Sequence, residues 1–462
     1  MTLTDLSISE AATLIETRQL SPVELTQAYL DRIERLNPIL NAFITVTTDH
    51  ALKAARMAEA EIKAGAYRGP LHGIPFAYKD LFETKGVLTS AGSKHFANYV
   101  PARDGTVIAR LSEAGAVMLG KLNMHELAFG VTTDNTWYGT CKNPYDLHRI
   151  PGGSSGGSGA ALAARLCAGA LGSDTRGSIR IPAAACGVVG LKPTYGRNSL
   201  HGVIPLSWNL DHVGPMARRV RDVALMLGFM AGYDPADPFS VDYPVGDYLD
   251  DLEAGIEGWR IAIADDEFFT PADSELSAML TESAKIFTSL GAQVYWVDAS
   301  WLRASGDYSR IMLGADAAAF HRERYETRPD DFSGEIRKRL ERDSAYTSRD
   351  YAEARYAQNL AIYQIGTFFE NYDLLVTPTT PAPALRHDQL PEWRKSGGDY
   401  TRFSAPFNMT GVPAVSIPGG FSEAGLPLGL QIVAPHWGEA QLLRAAYAYE
   451  QAAGWYQRTP EL

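Results

Sequence analysis

The feature that most constrains this chain is an alternation of short apolar runs with helical patterns, punctuated by glycine and proline, from about residue 70 onward. An apolar run of four or five residues suits a strand buried on both faces, whereas apolar residues three and four apart suit a helix with one buried side. Such alternation predicts an α/β fold whose sheet is covered by helices on both faces. Strands are predicted over 116–120, 260–264, 293–297, 374–377, 414–417 and 429–433, and helices over 107–114, 272–290 and 439–452.

The N-terminal segment, residues 1–65, is predicted to be helical. Ser7 with Glu10 and Ser21 with Glu24 have the spacing of capping boxes, the sequence signature of a helix start. A third helical pattern begins near residue 51 and stops near residue 65. We expect these helices to pack on the sheet without a chemical role.

Two stretches, 232–258 and 381–400, carry no periodic pattern. We interpret both as surface or pocket loops of one domain and not as linkers. The chain is therefore predicted to be one domain spanning residues 1–462.

The composition argues against several classes of function. The 462 residues carry a net charge of −12, and the basic residues are scattered, so no direct nucleic-acid partner is expected. No apolar stretch is long enough to span a bilayer, and the acidic N-terminus does not resemble a secretory signal. Three cysteines are too few for a disulfide scaffold and suit a reducing compartment. We expect a cytoplasmic protein with no membrane partner.

The most unusual run is PGGSSGGSGAALAARL (151–166), followed by CAGALGSDTRGSIRIPAA (167–184). A flexible linker would not lead directly into an Ala- and Leu-rich segment, and a phosphate-binding loop would continue with Gly-Lys-Ser/Thr or follow the GxGxxG pattern. Glycines let the backbone approach a substrate carbonyl and direct N–H groups at it, while serines supply hydroxyls for proton transfer. The run therefore favours a catalytic loop.

GGSSGGS (152–158) and GSDTRGSIRIPAA (172–184) together resemble the signature of the amidase signature family. The resemblance implies one domain with a mixed, twisted central sheet and a catalytic core within residues 70–220. It implies hydrolysis of the C–N bond of a small-molecule amide, with no cofactor and no metal. Further blocks resemble the family in the same order: GPLHGIPFAYKDLF (69–82), GKLNMHELAFG (120–130), NPYDLHRIPGGSSGG (143–157), GLKPTYGR (190–197), LDHVGPMAR (210–218) and GVPAVSIPGGF with GLPLGLQIV (411–433).

Three residues carry the chemistry that the resemblance implies. Ser178 corresponds to the nucleophile that becomes acylated, Lys79 to the general base, and Ser154 to the serine that relays a proton between them. Serine is a weak nucleophile until a base takes its proton, and lysine can be that base where burial disfavours its ammonium form. The peptide bond Gly153–Ser154 corresponds to a cis bond in the family.

The resemblance also implies an oxyanion hole formed by the backbone N–H groups of Thr175, Arg176, Gly177 and Ser178. The family usually has two glycines directly before the nucleophile, where this chain has Arg176 and Gly177. A positive φ at Arg176 would cost about 1–2 kcal/mol. We hypothesise that Arg176 lines the acyl pocket and favours a substrate with a carboxylate or another acceptor. A side chain that points to solvent or pairs with an acid is the open alternative.

The substrate pocket has further candidates. Aromatic residues available to a pocket suggest an apolar or aryl acyl group, and carbamate or urea-type substrates stay open because the same acyl-enzyme chemistry applies to them. The oligomeric state stays open, with a homodimer as one alternative. The substrate-contact candidates are Met124, Phe129, Thr132, Gly153 and Arg176, and the aromatic set is Phe129, Trp137, Tyr138, Trp208 and Phe320.

Two other chemistries are weighed against this interpretation. His212 beside Asp211 suggests a Ser–His–Asp triad, but the G-x-S-x-G elbow that usually accompanies that triad is not present around Ser178. His125 and Glu126 suggest a metal site, which the resemblance does not support.

Three structural expectations concern the same region. Asp174 and Arg180 flank the nucleophile and are predicted to brace its loop as an ion pair. Ser155 is expected to be structural, and residues 160–171 are expected to form a helix of small residues packed in the core.

One subclass of the family is the glutaminase component of glutamyl-tRNA amidotransferase, its A chain, which hydrolyses glutamine and passes ammonia to a partner. Its pattern implies an aspartate that holds the amino group of glutamine, at the place where TRFSAPFN (401–408) has Thr401. The nucleophile loop reads IRIP where that glutaminase typically has IRQP. Both departures favour a free-standing amidase, and the glutaminase component is the alternative.

Overall fold

The computed structural model describes residues 2–271 and 273–462. Eleven strands form one sheet in the order β1-β3-β2-β4-β6-β5-β10-β11-β9-β7-β8. The strands are Phe43–Val46 (β1), Pro75–Lys79 (β2), Val117–Leu122 (β3), Gly169–Asp174 (β4), Val189–Lys192 (β5), His212–Ala217 (β6), Arg260–Ala264 (β7), Gln293–Val297 (β8), Leu374–Pro378 (β9), Ala414–Phe421 (β10) and Pro427–Val433 (β11).

Helices cover this sheet. Within the described residues they are Ile8–Glu16 (α1), Pro22–Leu40 (α2), Thr48–Lys63 (α3), Thr106–Glu113 (α4), Gly156–Ala163 (α5), Arg180–Cys186 (α6), Val220–Met230 (α7), Ser274–Ser289 (α8), Arg303–Thr327 (α9), Gly334–Asp343 (α10), Ser348–Phe369 (α11), Leu390–Lys395 (α12), Ala405–Met409 (α13) and Glu439–Ala453 (α14). No helix in this part of the chain is both long and apolar enough to cross a membrane.

The sheet is mixed and covered on both faces, which confirms the predicted fold class. β2 runs parallel to β3 and β4, and β7 runs parallel to β8 and β9, whereas the other neighbours are antiparallel. Every residue of β3 and β4 is buried. Because alternate side chains of a strand point to opposite faces, a fully buried strand requires cover on both.

Both predicted capping boxes are present. The Ser7 side chain accepts a hydrogen bond from the Glu10 N–H at the start of α1, and Ser21 accepts from Glu24 at the start of α2. The N-terminal segment also contains β1, which the sequence analysis did not predict. A run of four residues between two helices carries too little alternation to be recognised as a strand.

The predicted core elements after residue 100 are present, with strand 293–297 at its predicted bounds and β10 four residues longer than predicted. The first residue of the predicted helix 272–290 lies outside the described residues; α8 begins at Ser274. The helix predicted over 160–171 is wrong. α5 ends at Ala163, Arg165 takes a left-handed φ of +58°, and β4 begins at Gly169, because small apolar residues suit a buried strand as well as a buried helix.

The two irregular stretches behave differently. Residues 232–258 contain no helix or strand and contribute no residue to the wall of the cavity described below. The stretch 381–400 contains the short helix α12 and contributes Trp393, Arg394 and Asp399 to that wall.

Candidate active site

The predicted catalytic residues lie where two parallel neighbouring strands end. β2 ends with Lys79, and β4 ends with Asp174, four residues before Ser178. Tyr78 is paired with Leu171 in the register of these strands. Carboxyl ends of adjacent parallel strands meet at one edge of a sheet, so the sheet itself brings together groups about 100 residues apart.

Lys79 is fully buried and hydrogen-bonded to two serine hydroxyls. Its Nζ donates to Ser154 Oγ at 2.7 Å and to Ser173 Oγ at 2.8 Å. Burial lowers the pKa of Lys79 to about 7, against the opposing charges of Asp174 and Asp211. A large share of the Lys79 side chains is therefore the neutral amine at neutral pH, the form that can accept a proton.

The loop that carries Ser154 is closely packed. The Gly153–Ser154 peptide is cis, as the resemblance implied, and the Ser154 carbonyl accepts the His125 N–H at 3.0 Å. A Cβ at Gly153 would lie 2.7 Å from the Val131 carbonyl carbon and 2.8 Å from the Thr132 nitrogen. Only glycine therefore fits at position 153.

The nucleophile loop is held by the Asp174 carboxylate. Its Oδ1 accepts the Gly177 N–H at 2.6 Å, and its Oδ2 accepts the Ile179 N–H at 3.1 Å. Ser178 is 7% exposed and faces a cavity. The left-handed backbone angle falls on Gly177, with φ +128°, and not on Arg176, so the arginine is accommodated without the strain considered above.

The predicted brace between Asp174 and Arg180 is present and completely buried. Arg180 Nη2 lies 2.9 Å from Asp174 Oδ1, and its Nε lies 3.0 Å from Oδ2. The remaining donors of Arg180 reach Gln431 Oε1 at 2.7 Å and Asn408 Oδ1 at 2.6 Å. Burial alone would raise the pKa of Asp174, but the Arg180 guanidinium, and a hydrogen bond that the Asn408 amide donates to Asp174 Oδ1 at 2.8 Å, hold it well below its usual range.

The residues of the Ser–His–Asp alternative do not face each other. His212 Nδ1 lies 2.7 Å from the Leu210 carbonyl, and burial drives the His212 pKa well below its ordinary value. The Asp211 carboxylate instead accepts the Thr175 hydroxyl at 2.6 Å. A buried, neutral imidazole that points to a backbone carbonyl is not arranged as a general base for Ser178.

The residues of the suggested metal site, His125 and Glu126, contact other protein groups. Glu126 accepts from Ser93 Oγ and Trp137 Nε1, each at 2.9 Å, and from the Ser333 N–H at 3.1 Å. His125 Nε2 lies 3.8 Å from the Glu335 carboxylate, and burial lowers the His125 pKa to about 4.

A cavity of about 560 Å³ opens above Ser178, and its wall is rich in charge. Phe129 and Arg176 belong to this wall, whereas Met124, Thr132 and Gly153 are buried and do not belong to it. Of the aromatic set, only Phe129 belongs to the described lining, which has Trp393 and Tyr400 instead of the others. Six basic side chains face three carboxylates there: Arg176, Arg310, Lys338, Arg339, Arg342 and Arg394 against Glu335, Asp343 and Asp399.

Arg176 both lines the cavity and pairs with an acid, the two arrangements considered from the sequence. It lines the cavity, and it donates to the Gly306 carbonyl at 3.0 Å and to Ser309 Oγ at 3.2 Å, both on α9. Its guanidinium also lies 3.7 Å from the Asp399 carboxylate, which pairs with Arg310 at 2.9 Å.

The basic wall supplied by α9, α10 and α12 was not predicted from the sequence. The run GEIRKRLERD of α10 has the composition of a solvated helix face, and such runs are more often exposed than functional. Only the fold shows that one side of this helix faces Ser178.

Comparisons with known proteins agree with this geometry. A family model described as Amidase matches residues 24–443. The A chain of the glutamyl-tRNA(Gln) amidotransferase of Geobacter sp. (strain M21) is 40% identical over 486 aligned positions, which cover 100% of each chain. That name does not confirm the free-standing type that the two motif departures favoured.

Solved structures point to the same family. A chain from a study of a vestigial protein complex and the evolutionary origins of an s-triazine catabolic enzyme has a TM-score of 0.92 at 33% identity, covering 99% of this chain and 100% of that one. A 6-aminohexanoate cyclic dimer hydrolase has a TM-score of 0.92 at 30% identity, covering 100% and 99%. With a family model that spans most of its length, this chain belongs to the amidase signature family of hydrolases that act on C–N bonds.

Proposed function

We propose that this protein is a free-standing amidase that hydrolyses a small amide whose acyl part carries a carboxylate, through an acyl-enzyme on Ser178. The observation that carries the proposal is the cavity at Ser178, with six basic side chains against three carboxylates. An anion that enters this cavity loses its hydrogen bonds to water and gains charge-assisted hydrogen bonds to guanidinium groups. The planar N–H donors of a guanidinium match the two oxygens of a carboxylate. A neutral acyl group gains no such compensation.

Acylation begins with proton transfer along Ser178, Ser154 and Lys79. Neutral Lys79 takes the proton of Ser154 across their 2.7 Å hydrogen bond while Ser154 takes the proton of Ser178. The Ser178 oxygen then attacks the carbonyl carbon and forms a tetrahedral intermediate. As the C–N bond breaks, Ser154 gives its proton to the leaving amine and regains one from the Lys79 ammonium, which leaves Lys79 neutral. Water then takes the place of the amine, loses a proton through Ser154 to Lys79 and cleaves the ester, and Ser178 recovers its proton by the same relay.

The developing oxyanion needs donors that are not already engaged. The Gly177 N–H is hydrogen-bonded to Asp174, so the N–H groups of Thr175, Arg176 and Ser178 are the ones we assign to the oxyanion. Backbone donors held in place before the reaction stabilise the transition state without reorganisation, and removing one donor typically costs on the order of 10²–10³ in rate.

The relay predicts the pH dependence of the reaction. Lys79 accepts a proton only as the neutral amine, so kcat/KM should fall as the pH drops below the Lys79 pKa of about 7. Initial rates from pH 5 to 9 on one neutral amide measure this limb without a contribution from substrate ionisation. A rate that stays level down to pH 5 would contradict Lys79 as the base.

Recognition of a carboxylate by the cavity is tested with matched anionic and neutral substrates and the substitution of one arginine. The Arg339 guanidinium lies over the Phe129 ring at 5.2 Å, on the cavity wall. With amides of equal length that end in carboxylate or in methyl ester, Arg339→Met should lower the kcat/KM ratio of anionic to neutral substrate about tenfold, equivalent to about 1.4 kcal/mol.

Arg337→Met is the matched control, because Arg337 lies on the same helix, pairs with Asp330 at 2.8 Å and does not belong to the cavity wall. It removes the same charge from the protein and should leave the ratio unchanged. Equal ratios in wild type and Arg339→Met would rule out carboxylate recognition at this wall.

The second candidate is the glutaminase component of an amidotransferase, which the names of the curated relatives favour. Glutamine would place an ammonium group as well as a carboxylate in the cavity. Thr401 stands where that glutaminase has its aspartate, and the nearby Asp399 already pairs with Arg176 and Arg310. This arrangement leaves the ammonium group without a dedicated carboxylate.

Ammonia release from glutamine, measured on the chain alone and with the other subunits of such a transferase, separates the two candidates. Hydrolysis of simple amides by the isolated chain, with no gain from added subunits, supports the free-standing enzyme. Glutaminase activity that appears only with the partner subunits establishes the alternative. The amide panel should include aryl amides, carbamates and ureas, since one relay serves all of them.

A further inference from the structure

Asp211 holds the chain segment directly before the nucleophile. Its Oδ1 accepts the Thr175 hydroxyl at 2.6 Å, and its Oδ2 accepts the N–H groups of Leu206 at 2.8 Å and Ser207 at 3.1 Å. Asp211 and Thr175 are 6% and 2% exposed. Charge-assisted hydrogen bonds shielded from water are roughly twice as strong as neutral ones, so this contact strongly restricts Thr175.

A second carboxylate holds the same segment two residues later. Asp174 accepts the Gly177 N–H at 2.6 Å, so carboxylates anchor the backbone on both sides of Arg176. Thr175 directly follows the last residue of β4, where the sheet no longer dictates the direction of the backbone N–H groups. The orientation of the Thr175 and Arg176 N–H groups therefore depends on these two anchors, together with the Ser404 hydroxyl, which donates to the Arg176 carbonyl at 2.7 Å.

We propose that Asp211 is a positioning residue for the oxyanion hole, which fixes Thr175 so that the backbone donors before Ser178 meet the substrate oxygen. The inference rests on the proposed function, because it presumes that the carbonyl is attacked by Ser178. Asp211 does not touch the substrate and acts through Thr175.

The anchor is itself tied to the helices that build the cavity. Ser207 Oγ donates to Asp316 Oδ2 on α9 at 2.6 Å, and the Tyr351 hydroxyl on α11 donates to Oδ1 of the same carboxylate at 2.9 Å. The loop 206–211 is thus bound to α9, which also holds the Arg176 side chain. Rigid support of the Asp211 loop suits this role, since the donors of an oxyanion hole must not move during the reaction.

Thr175→Val tests the anchor with a nearly isosteric change that removes only the hydroxyl. We expect kcat to fall about 10- to 100-fold with KM within about twofold, because the affected donors act mainly in the transition state. Thr175→Ser should recover most of the loss. Thr380→Val is the control. Thr380 is also buried, and its hydroxyl donates to the Ala382 carbonyl at 2.9 Å, away from the catalytic residues.

Inhibition separates positioning from a structural role. Phenylboronic acid adds to a nucleophilic serine and places an oxygen in the oxyanion hole, whereas benzoate binds without forming an adduct. Thr175→Val should raise the inhibition constant of phenylboronic acid in parallel with the loss of kcat and leave that of benzoate unchanged. Equal changes for both inhibitors would overturn the proposal.

Asp211→Asn adds a readout through pH. Asp174 and Asp211 are the acidic groups that raise the pKa of Lys79. Burial raises the pKa of Asp211 itself to about 6, and the Asp316 carboxylate adds to this rise. Removing the Asp211 charge should move the acid limb of kcat/KM to lower pH, whereas Thr175→Val should leave its midpoint unchanged. A limb that stays in place in Asp211→Asn would contradict the link between Asp211 and the active site.

Failure of this inference is distinct from failure of the proposed function. Wild-type kcat in Thr175→Val, with Ser178 still labelled by a fluorophosphonate probe, overturns the role of Asp211 alone. A wild-type protein that neither hydrolyses amides nor reacts with the probe overturns the proposed function and this inference with it.

Discussion

Lys79→Ala should lose nearly all turnover at pH 7, on the order of 10³-fold or more in kcat. Without the amine, Ser154 has no group to which it can pass the proton of Ser178, and the hydroxyl by itself is a weak nucleophile. The measurement is kcat on the best amide of the substrate panel, with the thermal unfolding midpoint recorded in parallel to verify that the variant is folded.

Ser155→Ala is the matched control for this loss. Ser155 neighbours Ser154, is equally buried, and donates its hydroxyl to the Ser173 carbonyl at 3.2 Å. It has no position in the relay, so the variant should keep most of its turnover. A Lys79→Ala enzyme that works at near wild-type rate would show that another group takes the proton.

Arg180→Leu should lower the free energy of unfolding by about 3–5 kcal/mol, because it leaves the Asp174 carboxylate buried without its cation. Arg180 also reaches Gln431 and Asn408, so β11 and α13 lose a common partner. Denaturant unfolding of wild type and variant measures the difference. Activity should fall as well, because Asp174 positions the Gly177 N–H.

The loss of unfolding free energy caused by Arg180→Leu should depend on pH. In the wild type the depressed pKa of Asp174 contributes stability above the pKa of an unfolded aspartate, and that contribution is lost as the pH falls. In the variant, burial without the cation raises the Asp174 pKa, so protonation at low pH removes the cost of burying a charged carboxylate. The difference in unfolding free energy between wild type and variant should therefore become smaller as the pH falls. A gap that is constant from pH 4 to 8 would contradict an uncompensated carboxylate.

Arg322→Leu is the control for the stability experiment. Arg322 forms an ion pair with Glu326 at 2.9 Å in which both side chains are more than half exposed. An exposed pair of this kind contributes little to the free energy of unfolding, because water screens the attraction and both side chains lose conformational freedom. A similar loss in both arginine variants would mean that the Asp174–Arg180 brace contributes no more than a surface pair.

Much of the fold was predictable because its signals are local. The capping boxes at Ser7 and Ser21 specify helix starts within four residues, and the runs at 260–264 and 293–297 carry their own strand pattern. β1 was not predicted and residues 160–171 were predicted wrongly for one reason. A short or uniformly small apolar stretch lacks the hydrophobic period that distinguishes a strand from a helix.

The candidate site divides in the same way. The types and order of Lys79, Ser154 and Ser178 are properties of the sequence, and the resemblance supplied a role for each. Of the residues predicted to contact substrate, Phe129 and Arg176 line the cavity, and the others are buried and do not belong to its wall. Their positions relative to the cavity depend on how the strand ends and α9 meet, which no local pattern encodes.

By itself, the sequence determined which chemical groups are available and where the Gly177 turn lies, because a positive φ is a local backbone conformation that glycine adopts at little cost. The need for glycine at position 153 comes from its close approach to residues 131–132 and belongs to the tertiary structure. Tertiary structure alone decided that the Lys79 amine is buried and its pKa lowered to about 7, and that the Gly177 N–H is engaged by Asp174. It also decided that basic side chains from three helices face one serine. Desolvation and charge are sums over atoms that come together only when distant segments pack, so they have no signature in any single stretch of the chain.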